Sequence, residues 1–169
     1  ELALYMEQRA AKDGDSVATI GQLQVPNGSI NVVPGRCLFS LDMRAPTDAQ
    51  RDALVADVMA QLDQIAERRG VRVKAELTMS AAAAPSAPEW QAHWERAVSA
   101  LGVPLFKLPS GAGHDAMKLH EVMPQAMLFV RGENAGISHN PLESTTSDDM
   151  QLCVDAFTHV LNQLSQELS

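Results

Sequence analysis

Apolar positions recur along this chain at two spacings, and the switches between them divide it into elements. Glu1–Arg9 has helical spacing and reads as the middle or end of an amphipathic helix, without an N-cap residue or an initiator Met. The pattern fades at Lys12-Asp13-Gly14-Asp15, a turn-forming cluster. Val17–Val25 alternates and is rich in β-branched residues, which predicts a strand ended by Pro26-Asn27-Gly28. Ser29–Val33 predicts a short extended piece, and Pro34-Gly35 the next turn. From Arg36 to Arg44, Cys37, Phe39, Leu41 and Met43 fall on one side and Arg36, Leu38, Ser40, Asp42 and Arg44 on the other, the period of a strand.

Helical spacing resumes after Thr47-Asp48-Ala49-Gln50, which has the capping-box pattern. Leu54, Val58, Leu62 and Ile65 form a stripe flanked by Val55 and Met59, so a helix is predicted to about Arg69, closed by Gly70. Val71, Val73, Ala75, Leu77 and Met79 then alternate as another strand. Helix, strand, strand, helix, strand is the order of an antiparallel sheet with two helices on one face, an α+β arrangement. The composition shifts at Ala81–Pro88, which predicts a boundary between one domain over residues 1–84 and another over 85–169.

Beyond it, Glu89–Leu101 predicts a helix with Trp90, Trp94 and Val98 on one face, stopped by Gly102 and Pro104. Leu105–Leu108 predicts a short strand, Asp115–Val122 a helix, and Gln125–Val130 a buried strand. Thr145–Asp149 offers cap chemistry and acidic residues for a last helix. Its stripe of Cys153, Phe157, Val160, Leu161 and Leu164 is expected to pack on a sheet. This half reads as the end of an α/β domain.

Composition narrows the partners. The 169 residues are 46% hydrophobic, enough for one ordinary core or two small ones, and the formal net charge is −8. The basic residues are scattered, so no nucleic-acid footprint is expected. No apolar run approaches the roughly 20 residues of a membrane span and no signal-peptide pattern opens the chain. Cys37 and Cys153 lie in predicted apolar elements and read as buried reduced thiols of a cytoplasmic protein.

Two loops then stand out. Pro109-Ser110-Gly111-Ala112-Gly113-His114-Asp115-Ala116-Met117 and Gly136-Ile137-Ser138-His139-Asn140-Pro141-Leu142-Glu143 each place a histidine just before a predicted helix, where α/β domains gather ligand-binding loops. His139 is a candidate metal ligand with Glu143 as the carboxylate that fixes its tautomer, or else a surface-loop histidine. His114 follows Gly111 and Gly113, which let a ligand approach the backbone, and the next helix points N–H groups at the loop. The other reading of His114 is a plain loop before a helix. Arg44 ends a strand with Asn31 in the segment facing it, a guanidinium and an amide that can hold a carboxylate; strand-end arginines are also common on surfaces. His93, His120 and His159 sit among charged neighbours and read as solvated.

On Val17-Ala18-Thr19-Ile20-Gly21, Ile30-Asn31-Val32-Val33-Pro34-Gly35, Ser40-Leu41-Asp42-Met43-Arg44, Pro109–Met117 and Gly136–Glu143, the chain resembles the C-terminal part of the M20-type metallo-amidohydrolases. The branch it resembles holds the allantoate amidohydrolases and N-carbamoyl-L-amino-acid hydrolases, marked by Gly-Ala-Gly-His-Asp-Ala at 111–116. The resemblance implies a lid and dimerisation domain for residues 1–84 and the closing segment of a zinc-peptidase-like catalytic domain after it. It implies that His139 ligates one of two divalent ions, Zn or Mn, in the complete enzyme. Asn31 and Arg44 would grip the substrate carboxylate, and Gly113 with His114 would form the substrate loop. The family's other metal ligands and its catalytic glutamate would precede residue 1, so no catalytic residue is assigned here and the chain alone is expected to be inactive. The implied reaction is metal-assisted hydrolysis of a linear ureido or amide bond in a small carboxylate-bearing substrate, with release of ammonia, by a homodimer joined through the lid domain. The alternatives are an M20 peptidase or aminoacylase, and a non-catalytic dimerisation fragment.

Overall fold

The structure, a computed structural model, describes residues 1–167. Its chain forms two compact units: one of Glu1–Ala83 with Pro109–Gly113, the other of Ala84–Leu108 with the chain from His114 onward.

In the first unit, helix α1 (Leu2–Asp13) precedes strands β1 (Val17–Thr19), β2 (Leu23–Gln24), β3 (Leu38–Phe39) and β4 (Asp42–Arg44), and helix α2 (Asp48–Arg69) closes the series. The strands pair antiparallel as β1 with β4 and β2 with β3. Both helices lie against the sheet, and the core is a cluster of Leu2, Met6, Leu54, Val58 and Leu62. Ala18 and Met43 meet it from β1 and β4, and Ile20 and Leu41 from the residues beside them. The stripe read from the sequence at Leu54, Val58 and Leu62 is therefore the buried face of α2, with Ile65 packed at its margin.

Local chemistry sets the ends of α2. The Thr47 hydroxyl accepts the Gln50 N–H at 3.3 Å and donates to Gln50 Oε1 at 2.9 Å, satisfying one of the free N–H groups of the first turn. Gly70 terminates the helix in the left-handed region, with φ at 65°, and its N–H reaches the carbonyls of Ala66 and Glu67. Arg9 of α1 bonds Asp57 of α2 at 2.6 Å and Asp13 at 2.8 Å, so the two helices are tied by charge as well as by apolar packing.

The second unit is helical. Helix α3 (Pro88–Ala100) packs on α5 (Ser147–Glu167), with the short α4 (Asp115–Leu119) and a 3-10 turn at Asn134–Gly136 between them in sequence. Ala97, Ala156 and Val160 form its buried cluster, with Trp94, Leu101, Leu128 and Leu164 packed around them. The Trp94 and Phe157 rings meet edge to face at 4.7 Å.

Several expectations change. The two long strands are each split, at Ile20–Gln22 and Ser40–Leu41, where Ser40 pairs with Gln22 through its own hydroxyl and N–H. Val71–Met79, Leu105–Leu108 and Gln125–Val130 form no ladder among the described residues; α5 packs on a helix rather than on a sheet. Alternation encodes a face, but a strand also needs a neighbour about 4.8 Å away to take its N–H and C=O groups. Cys37 is exposed, because it lies outside the paired part of its segment, and Cys153 is half-buried. His93 is not solvated: its side chain is only 12% exposed, bonded to Arg96 at 2.8 Å and tilted on the Trp90 ring.

Leu54 has 0% exposure and Leu77 has 83%. Leu54→Ala is expected to cost about 3 kcal/mol and Leu77→Ala under about 0.5 kcal/mol in urea unfolding of the 169-residue chain.

Candidate functional site

Strand β4 alternates so that Met43, with Leu41 just before the strand, faces the core while Asp42 and Arg44 face outward on the other side. Two outward residues of opposite charge at i and i+2 meet. Asp42 Oδ1 accepts from Arg44 Nε at 2.7 Å and Oδ2 accepts from Nη2 at 2.6 Å, a bidentate pair along one edge of the guanidinium. The carbonyl of Gly111 accepts from Nη1 at 2.8 Å. Pro109–Gly113, the glycine loop, thereby belongs to the same unit as the strand. The hydrogen bonds from Arg44, aided by its charge and opposed by partial desolvation, hold the Asp42 carboxyl below its usual range; the same bonds raise Arg44.

Asn31 lies in the turn closed by the Ser29–Val32 bridge, and its Oδ1 accepts the Ser29 hydroxyl at 3.1 Å. Its amide is exposed, and no hydrogen bond joins it to Arg44 among the described residues. Gly113 is also open: a side chain there would meet nothing within 4 Å among the described residues.

His114 caps α4. Its Nδ1 accepts the Ala116 N–H at 3.0 Å, which places the proton of the neutral ring on Nε2 and leaves that N–H as an outward donor. The expectation that the helix offers its N–H groups to a ligand is corrected: α4 has 5 residues, and the His114 ring takes the Ala116 N–H.

His139 sits in a loop whose base is clamped. The Glu133 N–H donates to the Ser144 carbonyl at 2.9 Å, the Ser144 hydroxyl donates to Glu133 at 2.9 Å, and Asn134 Nδ2 donates to the Leu142 carbonyl at 2.7 Å. Within the loop, His139 has φ at 57°, a left-handed conformation that costs a non-glycine residue on the order of 1–3 kcal/mol. Glu143 offsets part of that cost by accepting the His139 N–H at 2.8 Å. Glu143 was expected to serve the ring; it serves the backbone instead, and Nδ1 meets the Ser138 hydroxyl at 3.1 Å. Nε2 has no hydrogen-bond partner among the described residues.

Arg44 and the glycine loop are thus brought together, whereas Asn31 keeps its own local bond. Two surface hollows, one bordered by Gln22, Gln24 and Phe39 and one by Pro85, His120 and Met123, include none of the five candidate residues. No group of three His, Cys, Asp or Glu residues is placed to hold a metal ion among the described residues. Asp42, the partner of Arg44, was not singled out from the sequence, although an acid two positions before an arginine in an alternating strand was the signal for the pair.

Residues 3–163 match Peptidase family M20/M25/M40. The chain belongs to this family. It is 36% identical to an N-carbamoyl-L-amino acid amidohydrolase of Geobacillus stearothermophilus over 98% of this chain and 40% of that protein. It is 35% identical to an allantoate deiminase of Arabidopsis thaliana over 79% of this chain and 27% of that protein. A hydantoinase/carbamoylase family amidase of Burkholderia ambifaria matches with a TM-score of 0.82 at 30% identity, over 94% of this chain and 38% of that one. The chain therefore spans at most about two-fifths of the length of these relatives. Family members are hydrolases, and no helix among the described residues is long and apolar enough to cross a membrane.

A carboxyl with a lowered pKa contributes stability that is present above its unfolded value and is lost as pH falls through the lower folded one. The Asp42–Arg44 pair should therefore persist to lower pH than an unpaired aspartate would stay charged, the ordinary value being about 3.9. Carboxyl carbon NMR should show Asp42 titrating below that value in the native chain and returning to it in Arg44→Ala.

Proposed function

We propose that this chain forms part of a metal-dependent amidohydrolase that cleaves a linear ureido or amide C–N bond in N-carbamoyl-L-amino acids or allantoate, releasing ammonia. The observation that carries this reading is an anchored, half-exposed guanidinium at Arg44, in a chain whose named relatives act on substrates that bear a carboxylate. Arg44 holds that carboxylate through its terminal nitrogens, and the exposed amide of Asn31 adds a donor from the neighbouring turn. Fixing the far end of the substrate lowers the entropic part of the barrier at the reacting end. His114 presents Nε2–H to a substrate oxygen, with Gly113 leaving room for the approach.

The donor set fits one corner of a metal centre. His139 offers an exposed imidazole whose Nε2 has no hydrogen-bond partner among the described residues, on a strained backbone that its own loop holds in place. When bound, a pair of zinc or manganese ions would supply Lewis-acid polarisation of the scissile carbonyl. His139 would hold one of them through its imidazole. Residues 1–84 act as the lid domain and as the dimer contact, for which exposed Val71, Leu77 and Met79 on an unladdered extended segment provide an edge. Residues 85–169 belong to the catalytic domain. Free Cys37 and Cys153 suit a reducing, cytoplasmic setting.

Ammonia release by the full-length protein, stripped and reloaded with Mn²⁺ or Zn²⁺, tests the reading. Turnover of N-carbamoyl-L-amino acids or allantoate is expected; turnover confined to N-acetyl-amino acids would move the protein to the aminoacylases. His139→Ala should lower bound metal and abolish turnover, and unchanged metal content would remove His139 from the centre. Arg44→Ala should raise KM about 10- to 100-fold, the loss of a charge-assisted pair.

A further inference from the structure

We propose that Asp42 is the positioning residue of the Arg44 clamp: with the Gly111 carbonyl it holds the guanidinium so that one N–H on each terminal nitrogen stays open to a bidentate carboxylate. The proposal rests on Arg44 as the carboxylate clamp and extends that role to a residue that touches no substrate.

Hydrogen-bond arithmetic on one side chain carries it. A guanidinium has five N–H donors. Asp42 takes the one on Nε and one on Nη2, and Gly111 takes one on Nη1. One donor therefore remains on each of Nη1 and Nη2, enough to offer a carboxylate two N–H groups. Asp42 occupies the Nε edge, so its negative charge lies to the side of the group rather than at its terminal end.

The pair is poorly suited to any other task. Arg44 is 52% exposed and Asp42 is 48% exposed, and ion pairs so open to water contribute little to stability. Its effect is on freedom instead. An arginine has many rotamers, and one already held by three bonds loses less entropy when its ligand arrives. The third bond comes from a carbonyl 67 positions away in the glycine loop, so the orientation is set by two separate pieces of backbone. Strand alternation supplies the rest, because i and i+2 on β4 share a face and β4 is fixed by its ladder with β1.

The test is steady-state kinetics of the full-length, metal-loaded enzyme on an N-carbamoyl-L-amino acid and on its carboxamide analogue. Asp42→Asn keeps the shape of the side chain but turns one acceptor into a donor facing the guanidinium; Asp42→Ala removes both acceptors. Both should raise KM for the carboxylate substrate about five- to tenfold, with the loss in KM rather than kcat. Asp42→Glu should recover part of it, and KM for the carboxamide should stay put in all three. An unchanged KM in both Asn and Ala variants, with Arg44→Ala still raising it, would overturn the role of Asp42 alone. A lowered KM in Asp42→Ala would overturn it as well, by showing that Asp42 competes with substrate for Arg44. An unchanged KM in Arg44→Ala would instead overturn the clamp on which the proposal rests.

Discussion

The antiparallel register of β1 on β4, with Val17 opposite Arg44, Ala18 opposite Met43 and Thr19 opposite Asp42, serves the core and the site together. Side chains on a strand alternate between faces, so a register that packs half-buried Met43 against the core cluster of Leu54 and Val58 must turn Asp42 and Arg44 outward. A slip of one residue would bury the ion pair and expose the methionine, which no core tolerates. The apolar packing of α1 and α2 against β1 and β4 thus holds the guanidinium at the surface. Pro46, two residues on, keeps the strand from running into α2, and Thr47 starts the helix at once.

The two histidines depend on a different physics. Neither is held by a core: His114 and His139 are both exposed, and each is oriented by hydrogen bonds within its own loop. His114 gives its Nδ1 to the backbone and so has a defined tautomer. His139 has a defined backbone, left-handed and locked by Glu143, and its ring meets only the hydroxyl of Ser138. The energy of holding a left-handed histidine comes from the clamped base of the 133–144 loop, where backbone and side-chain bonds converge on Glu133, Asn134 and Ser144.

The chain is a member of the M20/M25/M40 peptidase family. The chain spans at most about two-fifths of its relatives' length, and three of its extended apolar segments, Val71–Met79, Leu105–Leu108 and Gln125–Val130, carry the period of strands without a ladder among the described residues. Exposed Leu77, Phe106 and Phe129 on those segments have the apolar character of sheet faces.

By itself the sequence determined what short-range physics determines. The ends of α2 follow from Thr47 and Gly70, and its buried face from the spacing of Leu54, Val58 and Leu62. That His114 and His139 lie in exposed loops was legible too, from the glycines before the one and the Asn-Pro after the other. Tertiary structure decided the rest. Ladder partners are chosen across the chain, so alternation named Val71–Met79 a strand without being able to pair it, and Cys37 buried when it is exposed. The partners of polar side chains are chosen in the same way. That Asp42 and the Gly111 carbonyl share Arg44, and that Glu143 serves the backbone of His139 rather than its ring, are matters of distance in the folded chain, which spacing along it does not measure.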